Sequence, residues 1–457
     1  MNTTFLTRSG IVLLALVLLG MPAGLKAESR RVDMETFVSL VEQYSKELKL
    51  AEKDCEEANA QKREATAGVL PHVSGQASYT RNLSDVYMYF DLSSLSGGEG
   101  GIQKVVYNRN NEYQAGVTLR QTLFSGNVFN AIKAAREYGR MTNYTYDATH
   151  QQILTLARQA FSYTLLLGQV VEVAGQSEQN AHENYLDTKS RYDNGLASEY
   201  ALLQAESRYR ETVPRTAEAE RNLTLAMIDL KNMAGIPVDQ TVELEGSLDS
   251  YPEPPVQVDL QTVLSRRPDY NALLRRERLQ KINVSAQRSG YFPSLEAVAG
   301  YGYSAQSDAF RLDEENNSWT AGLVLSVPIF QGGATRARVS QARVQLDKSR
   351  LELARLRDRI VRDIRSVRLR LDEAHSRIAS AEVSLQTARK AFSIAEETNR
   401  VGMTTQLELK DARVALDQAT VNYYSAIFDY LRACYDWQQV IGVADAESSA
   451  DAGVGTK

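Results

Sequence analysis

The sequence predicts a mainly α-helical chain with a transmembrane β-barrel part, built as a tandem duplication of one helix-strand-strand-long helices unit. Three observations carry that reading. First, Tyr113-Gln114-Ala115-Gly116-Val117-Thr118-Leu119, closing at Leu123-Phe124-Ser125-Gly126, returns as Trp319-Thr320-Ala321-Gly322-Leu323-Val324-Leu325, closing at Ile329-Phe330-Gln331-Gly332, displaced by 206 residues. Asn194-Gly195-Leu196-Ala197-Ser198 returns as Val401-Gly402-Met403-Thr404-Thr405, and Ala234-Gly235-Ile236 as Ile441-Gly442-Val443, each displaced by 207. Second, each copy holds two stretches in which apolar and polar residues alternate. Third, after each pair of stretches the period turns helical and stays so for a long way.

The chain divides into a signal segment at 1–27, a first repeat at 28–250, a second repeat at 251–445 and a flexible tail at 446–457. Arg8, the apolar run 11–19 and small residues up to Ala27 have the layout of a secretory signal. The run is too short to span a bilayer, which takes about 20 residues. No Cys directly follows it, so an N-terminal lipid anchor is not available. The mature chain is therefore expected to be exported. With 24% charged and 43% hydrophobic residues it is neither disordered nor a helical membrane protein. A net charge of −5 argues against a nucleic-acid partner.

Each repeat opens with a helix, at 34–69 and at 260–291, that stops at Leu70-Pro71 or Phe292-Pro293. Proline lacks a backbone donor and pushes the preceding residue out of the helical region, so Pro71 and Pro293 read as helix-to-strand switches. Past them, Val73, Gly75, Ala77 and Tyr79 alternate against Ser74, Gln76, Ser78 and Thr80. Leu295, Ala297, Ala299, Tyr301 and Tyr303 alternate likewise against smaller or polar neighbours, and so do the second stretches through Tyr113 to Leu123 and Trp319 to Ile329. Tyr79, Tyr113, Tyr301, Tyr303 and Trp319 gather near the connecting loops, with Phe124 and Phe330 at the opposite ends. Two aromatic bands around an alternating strand of ~10 residues are the pattern of a barrel in lipid. A half-buried soluble sheet would share the alternation.

The loops 82–111 and 304–318 connect the strands. The first is longer, contains the Ser- and Gly-rich stretch 93–101, and shows no periodicity; both are expected on the extracellular side. Four strands cannot close a barrel, since the smallest use about eight, and an open edge in lipid strands polar backbone groups. Other chains must supply the rest. Three copies would give twelve strands, and the strand count also permits two or four.

In the second repeat Ile360, Ile364, Val367, Leu371, Ala374, Ile378, Ala381, Leu385, Ala388, Phe392 and Ala395 step by four and three, an apolar heptad seam. Ile153, Ala157, Ala160, Leu167, Val171, Ala174 and Ala181 keep a weaker version in the first. A helix from Gly332 to Arg400 would run ~100 Å, far beyond a bilayer, so these helices project into an aqueous compartment. Gly195 and Gly402 end the descending helices, and Ser198 and Thr405 read as N-caps of the returning ones. Both turns thus stand at the far tip of the projection.

In this order, the switch prolines, Arg267-Pro268-Asp269, the strand exits at Gly126 and Gly332 and the tips at Gly195 and Gly402 resemble the TolC-like outer membrane efflux proteins (outer membrane factors), over essentially the whole mature chain. The resemblance implies a homotrimer, with a twelve-stranded barrel in outer membrane lipid continuous with a periplasmic α-helical tunnel. It implies a passive exit duct of a Gram-negative cell, joined by a periplasmic adaptor (membrane fusion) protein to an inner-membrane transporter. It assigns an equatorial girdle to residues 237–255 and the chain after Gly442. It also implies adaptor contact at the tips and an acidic ring at the periplasmic aperture, where Glu408 and Asp411 take the acidic positions. Three apart on a helix, they share a face, and threefold symmetry would gather about six carboxylates and raise some of their pKa values. Two solvated surface acids beside Lys410 would fit the spacing as well. Repeat one departs from the pattern, with Ala201 and Leu202 where some relatives carry an acid.

Enzyme chemistry finds little support. His72, His150, His182 and His375 are scattered without metal-ligand spacing, and no cofactor motif is present. The arginines between 355 and 370 interleave with the heptad seam and with Asp358 and Asp363, as on a solvated helix face. A different class, a trimeric coiled-coil surface protein such as an adhesin stalk, would carry its barrel at one terminus only. Within the duct class, drug efflux, metal efflux and type I protein secretion are not separable, because the pump selects the cargo. Cys55 and Cys434 are expected to stay unpaired. Helix rise sets them about 33 Å apart in height, and a disulfide needs Cα atoms within about 7 Å.

Overall fold

The structure is a computed structural model that describes residues 30–91, 102–256, 258–401 and 403–443. The expected signal segment at 1–27, the tail at 446–457, the stretch 93–101 and Gly402 lie outside the described residues. The first half runs β1 (Arg30–Val32), α1 (Met34–Tyr44), α2 (Lys46–Ala67), β2 (His72–Arg81), β3 (Tyr87–Asp91), β4 (Ile102–Val106), β5 (Asn111–Phe124), α3 (Gly126–Asp193), α4 (Glu199–Met233) and β6 (Val242–Leu244). The second follows with α5 (Leu260–Arg266), α6 (Pro268–Arg288), a 3-10 turn (Ser289–Tyr291), β7 (Ser294–Ser307), β8 (Asn316–Ser326), α7 (Ala334–Arg400) and α8 (Gln406–Ile441).

The opening helix of each repeat is broken where one continuous helix was expected. At Ser45 the backbone turns extended (φ −55°, ψ 125°), and the hydroxyl accepts the Leu48 N–H at 3.3 Å. At Arg267 (φ −70°, ψ 117°) the cause is Pro268, which has no N–H and opens α6. Both breaks stand 26 residues ahead of the switch prolines. Each is covered by a left-handed glycine at the end of a returning helix. Gly235 (φ +66°) lies against Tyr44, and Gly442 (φ +77°) against Arg266.

β2, β5, β7 and β8 form one antiparallel sheet in that order, so the two repeats join through β5 and β7. β2 and β8 are its two edges. Pro71 and Pro293 directly precede β2 and β7, as expected. β8 ends at Ser326, short of the expected Ile329, because Pro328 cannot donate to a ladder. The loop 82–111, expected without pattern, contains the paired strands β3 and β4. Their apolar residues lie on both faces, which erases the alternation that marks a one-sided strand.

α3 has 68 residues and α7 has 67, each about 100 Å of helix. α4 returns along α3 and α8 along α7, while α3 and α8 bring the two hairpins together. The heptad seam is the core, as its spacing predicts: Ile360, Val367, Leu371, Ala374, Ile378 and Leu385 are all buried. Of the weaker seam, Ile153, Ala157 and Leu167 are buried. α2 packs on α3, and α6 bridges α3 and α7, filling the upper part that the shorter α4 and α8 do not reach.

A girdle crosses the helices at mid-height. β1 pairs parallel with β6, Val32 opposite Leu244. Val32, Phe37, Phe161, Leu230 and Val242 form one core there, with the Phe37 and Phe161 rings 5.6 Å apart. Residues 247–255 wrap the second hairpin: Tyr430 donates to the Pro252 carbonyl at 2.8 Å and Arg368 to that of Pro255 at 2.7 Å.

Cys434 is buried in the core of α8 and Cys55 is half-buried on α2 beside Asp147; both are free. Tyr435 meets Ser162 of α3, so α3 serves as a ruler: from Asp147 to Ser162 is about 22 Å of helix. The separation is smaller than the 33 Å expected, yet far beyond disulfide reach.

Candidate functional site at the polar sheet face and the hairpin tips

Strand register sorts the sheet into two chemically distinct faces. Ser74, Thr118, Gly300 and Thr320 lie side by side across the four strands, as do Gln76, Gly116, Gly302 and Ser318. One residue along, the row is Val73, Leu119, Ala299 and Ala321, then Gly75, Val117, Tyr301 and Trp319. A recess of about 390 Å³ opens on the polar side, lined by Ser74, Gln76, Ser78, Gln114, Thr118 and Ser304. The polar residues thus share one face of the sheet and the apolar residues the other, the two-faced pattern of a strand with water on one side and apolar surroundings on the other. Small residues let the backbones approach: a Cβ at Gly116 would sit 3.3 Å from the Tyr301 carbonyl. The tilted rings of Tyr301 and Trp319 lie 4.8 Å apart and those of Tyr79 and Tyr113 5.2 Å apart near the loop end of the sheet.

The junction of sheet and helices joins the two repeats. Asn130 donates to the Gly126 carbonyl at 2.8 Å and to the Ser289 hydroxyl at 2.9 Å. A Cβ at Gly126 would meet that hydroxyl at 2.7 Å, so the first strand exit needs glycine for close approach. The second exit needs it for conformation: Gly332 (φ +57°) and Gly333 (φ +83°) are left-handed.

At the far end the first tip turns through Gly195 (φ +71°), and Ser198 caps α4 by accepting the Ala201 N–H at 3.2 Å. The second returning helix is capped in the same way and braced more heavily. Thr405 accepts the Glu408 N–H at 3.3 Å, and Glu408 in return accepts the Thr405 N–H at 2.8 Å, a capping box. Asn399 donates to the Thr404 carbonyl at 2.9 Å. The Glu408 carboxylate is thus turned back onto the backbone of the turn, and the Thr405 N–H and hydroxyl hold its pKa below the ordinary value. Like-charge repulsion would raise that pKa; within one protomer the cap lowers it. Asp411 is exposed nearly one turn further along the same helix.

Two features near the tips went unread in the sequence. Leu196 and Tyr200 at the first tip, and Met403 and Leu407 at the second, are exposed apolar residues displaced by 207 like the tips themselves. That repeat was the available signal. Higher up, between the hairpins, Arg413 reaches Asp417 at 2.9 Å and lies 5.2 Å over the Phe392 ring, while Ser177 of α3 donates to Asp417. Burial raises the Asp417 pKa, outweighing the opposing pull of Ser177, Arg413 and Arg208. Ion-pair spacing within α8 was visible, but its partners on α3 and α4 lie over 200 residues away in sequence. Among the described residues no group of three or more His, Cys, Asp or Glu is placed to hold a metal ion, and no helix is long and apolar enough to cross a membrane.

Comparison with known proteins bears on this geometry. The family model for outer membrane efflux protein matches residues 37–236 and 260–442, one stretch in each repeat. The outer membrane protein TolC of Vibrio cholerae is 22% identical over 350 residues, covering 75% of this chain and 80% of the relative. The alkaline protease secretion protein AprF of Pseudomonas aeruginosa is 22% identical over 341 residues, covering 73% and 70%. The crystal structure of the Campylobacter jejuni CmeC outer membrane channel superposes with a TM-score of 0.76 at 20% identity, covering 92% of this chain and 88% of that one.

Proposed function

The chain belongs to the outer membrane efflux protein family, and from that premise we propose that three copies close a twelve-stranded barrel and drive no transport themselves. It is an outer membrane exit duct of the kind that serves efflux and secretion systems, with its helices forming a periplasmic tunnel. The observation that carries the trimeric reading is the open sheet. β2 and β8 are unpaired edges, which lipid does not tolerate, and three four-stranded sheets joined β8 to β2 make one closed ring. The polar face then lines the pore and the rows through Trp319 and through Leu119 meet lipid.

The halves at 28–250 and 251–445 act as two quasi-equivalent staves of the tunnel. The tips are the docking points for a periplasmic adaptor, which couples the duct to an inner-membrane transporter. The exposed pairs Leu196 with Tyr200 and Met403 with Leu407 support this, since apolar side chains at the end of a ~100 Å projection are suited to another protein. Glu408 and Asp411 line the aperture. In this reading Glu408 has two tasks, holding the turn and presenting one free carboxylate oxygen, while Asp411 presents its charge without a capping duty. The relative AprF is named for protease secretion; whether drug, metal or protein passes here depends on the pump.

Single-channel recording on the purified protein in planar lipid tests the reading. A stable conductance from a species of three chains supports it. A membrane-inserted monomer, or a protein that never conducts, overturns it. With Glu408→Ala and Asp411→Ala combined, block by multivalent cations should weaken while assembly is kept; unchanged block removes these two residues from the aperture.

A further inference from the structure

The loop between β2 and β5 holds a feature the second repeat lacks. β3 and β4 pair from Tyr87 with Val106 to Asp91 with Ile102, and neither joins the four-stranded sheet. Alternation puts Tyr87, Tyr89, Val106 and Ile102 on one face and Met88, Phe90 and Val105 on the other. All seven are exposed, so both sides of the hairpin carry apolar residues, with Lys104 lying 3.5 Å over the Tyr87 ring on the first. A two-stranded hairpin is marginal in water, and an exposed apolar patch of this kind marks a contact surface.

The base of the hairpin is fixed. Asn82 donates to the Arg109 carbonyl at 2.7 Å, and Asn108 donates to that of Ser84 at 3.0 Å while accepting the Val86 N–H at 2.7 Å. Arg109 reaches Asp308 at 3.2 Å and clasps Glu314 with two guanidinium nitrogens, Nε and Nη2. Asn111, fully buried, donates to the carbonyls of Ser307 and Ala309 at 3.0 Å each. The chain continues from the top of β2, the sheet edge, into β3 within six residues.

We propose that this hairpin clasps the neighbouring copy of the chain across the β8–β2 seam at the extracellular rim. The proposal rests on the closed oligomeric barrel proposed above. Pairing β2 antiparallel with a neighbour's β8 brings the start of that β8 to the top of β2, directly beneath the hairpin. The loop feeding that β8 carries Leu312, an exposed apolar residue, whereas Phe310 of the same loop leans on its own chain's Tyr79 and Tyr113 at 5.7 and 6.2 Å. The hairpin surface is thus continuous with the seam and meets Leu312 of the neighbour's loop there. Lipid is disfavoured as the occupant because the charged rim of Arg81, Arg109, Asp308 and Glu314 separates the hairpin from the Tyr79–Tyr113 aromatic band where hydrocarbon ends. A hairpin with apolar residues on both faces also suits insertion between two protein surfaces.

The test is site-specific photo-crosslinking in the full-length protein in outer membranes, with benzoylphenylalanine replacing Tyr89 and, in a second variant, Phe90. Covalent products of two and three chains are expected. Adducts only to outer-leaflet glycolipid or to another protein, or none, overturn the clasp. Native mass measurement on the unaltered protein separates the two levels: a monomer there defeats the barrel reading, whereas a trimer without chain-to-chain adducts defeats the clasp alone. Tyr89→Ser combined with Phe90→Ser should lower the melting temperature of the trimer in detergent, and an unchanged value counts against the clasp.

Discussion

Gly235 lies against Tyr44 so closely that a Cβ on the glycine would sit 2.6 Å from the tyrosine Cβ. The second repeat reproduces the arrangement, with Gly442 against the Arg266 backbone at 2.9 Å. In both, a left-handed residue ends a returning helix and lets it tuck under the break in the opening helix. Gly195, also left-handed, has nothing within 4 Å of a Cβ position. Gly235→Ala and Gly442→Ala should therefore cost more than the ~1–2 kcal/mol of a left-handed alanine, and Gly195→Ala no more than that. Melting of the purified assembly followed by circular dichroism measures the difference; three equal shifts would remove the packing explanation.

The capping box makes the second tip pH-dependent. The Glu408 pKa is lowered in the folded state, so its contribution is present above the ordinary carboxylate range and is lost as pH falls through the folded value. Amide exchange at residues 405–409, corrected for intrinsic rate, should show protection at neutral pH that fades in acid. Glu408→Gln should flatten this dependence. An equally steep one in the variant would assign it to another group.

Asp417 has the opposite sign. Burial raises its pKa, so the folded state takes up the proton more readily than the unfolded chain, and the cost of the buried charge is present above the folded value and relieved below it. Acidification alone should not open the seam between the hairpins at this pair. The melting difference between the native protein and Asp417→Asn should narrow as pH is lowered toward 4. Asp417→Asn is expected to be the higher-melting of the two at neutral pH, and a variant that melts lower there would mean the carboxylate is net stabilising.

The two sheet faces respond differently to charge. Leu323 stands in a row with Ala297 on the apolar face, and Thr320 in a row with Gly300 and Thr118 on the polar face. Leu323→Arg should hinder insertion, with a penalty of ~2–4 kcal/mol near the bilayer midplane. Thr320→Arg should assemble and lower cation conductance. The reverse pattern in membrane fractionation and conductance would turn the sheet inside out.

The thiols differ in accessibility. Burial among the apolar residues of α8 and its neighbours pushes the Cys434 thiol up to about 11, leaving little thiolate at neutral pH. Maleimide should label Cys55 well before Cys434, which should react only on unfolding. A linked Cys55–Cys434 peptide in non-reducing mapping would contradict the helix register measured along α3.

The duplication, the switch prolines, the strand faces, the long helices and the tip caps were all legible in the sequence. Each is a local matter: period two or period 3.5, a missing N–H, a side chain reaching three residues along. What escaped was set by contacts between distant segments. Ser45 looks like any helical serine until Gly235 arrives beside Tyr44. The β3–β4 hairpin shows no alternation because its apolar residues fall on both faces. Asp417 acquires its environment from Ser177 and Arg208 on another hairpin. Periodicity reports which side of an element is buried, so the sequence by itself determined the elements and their faces. Which buried sides meet, and at what height, depends on packing between segments about 200 residues apart, and only the tertiary structure decided that.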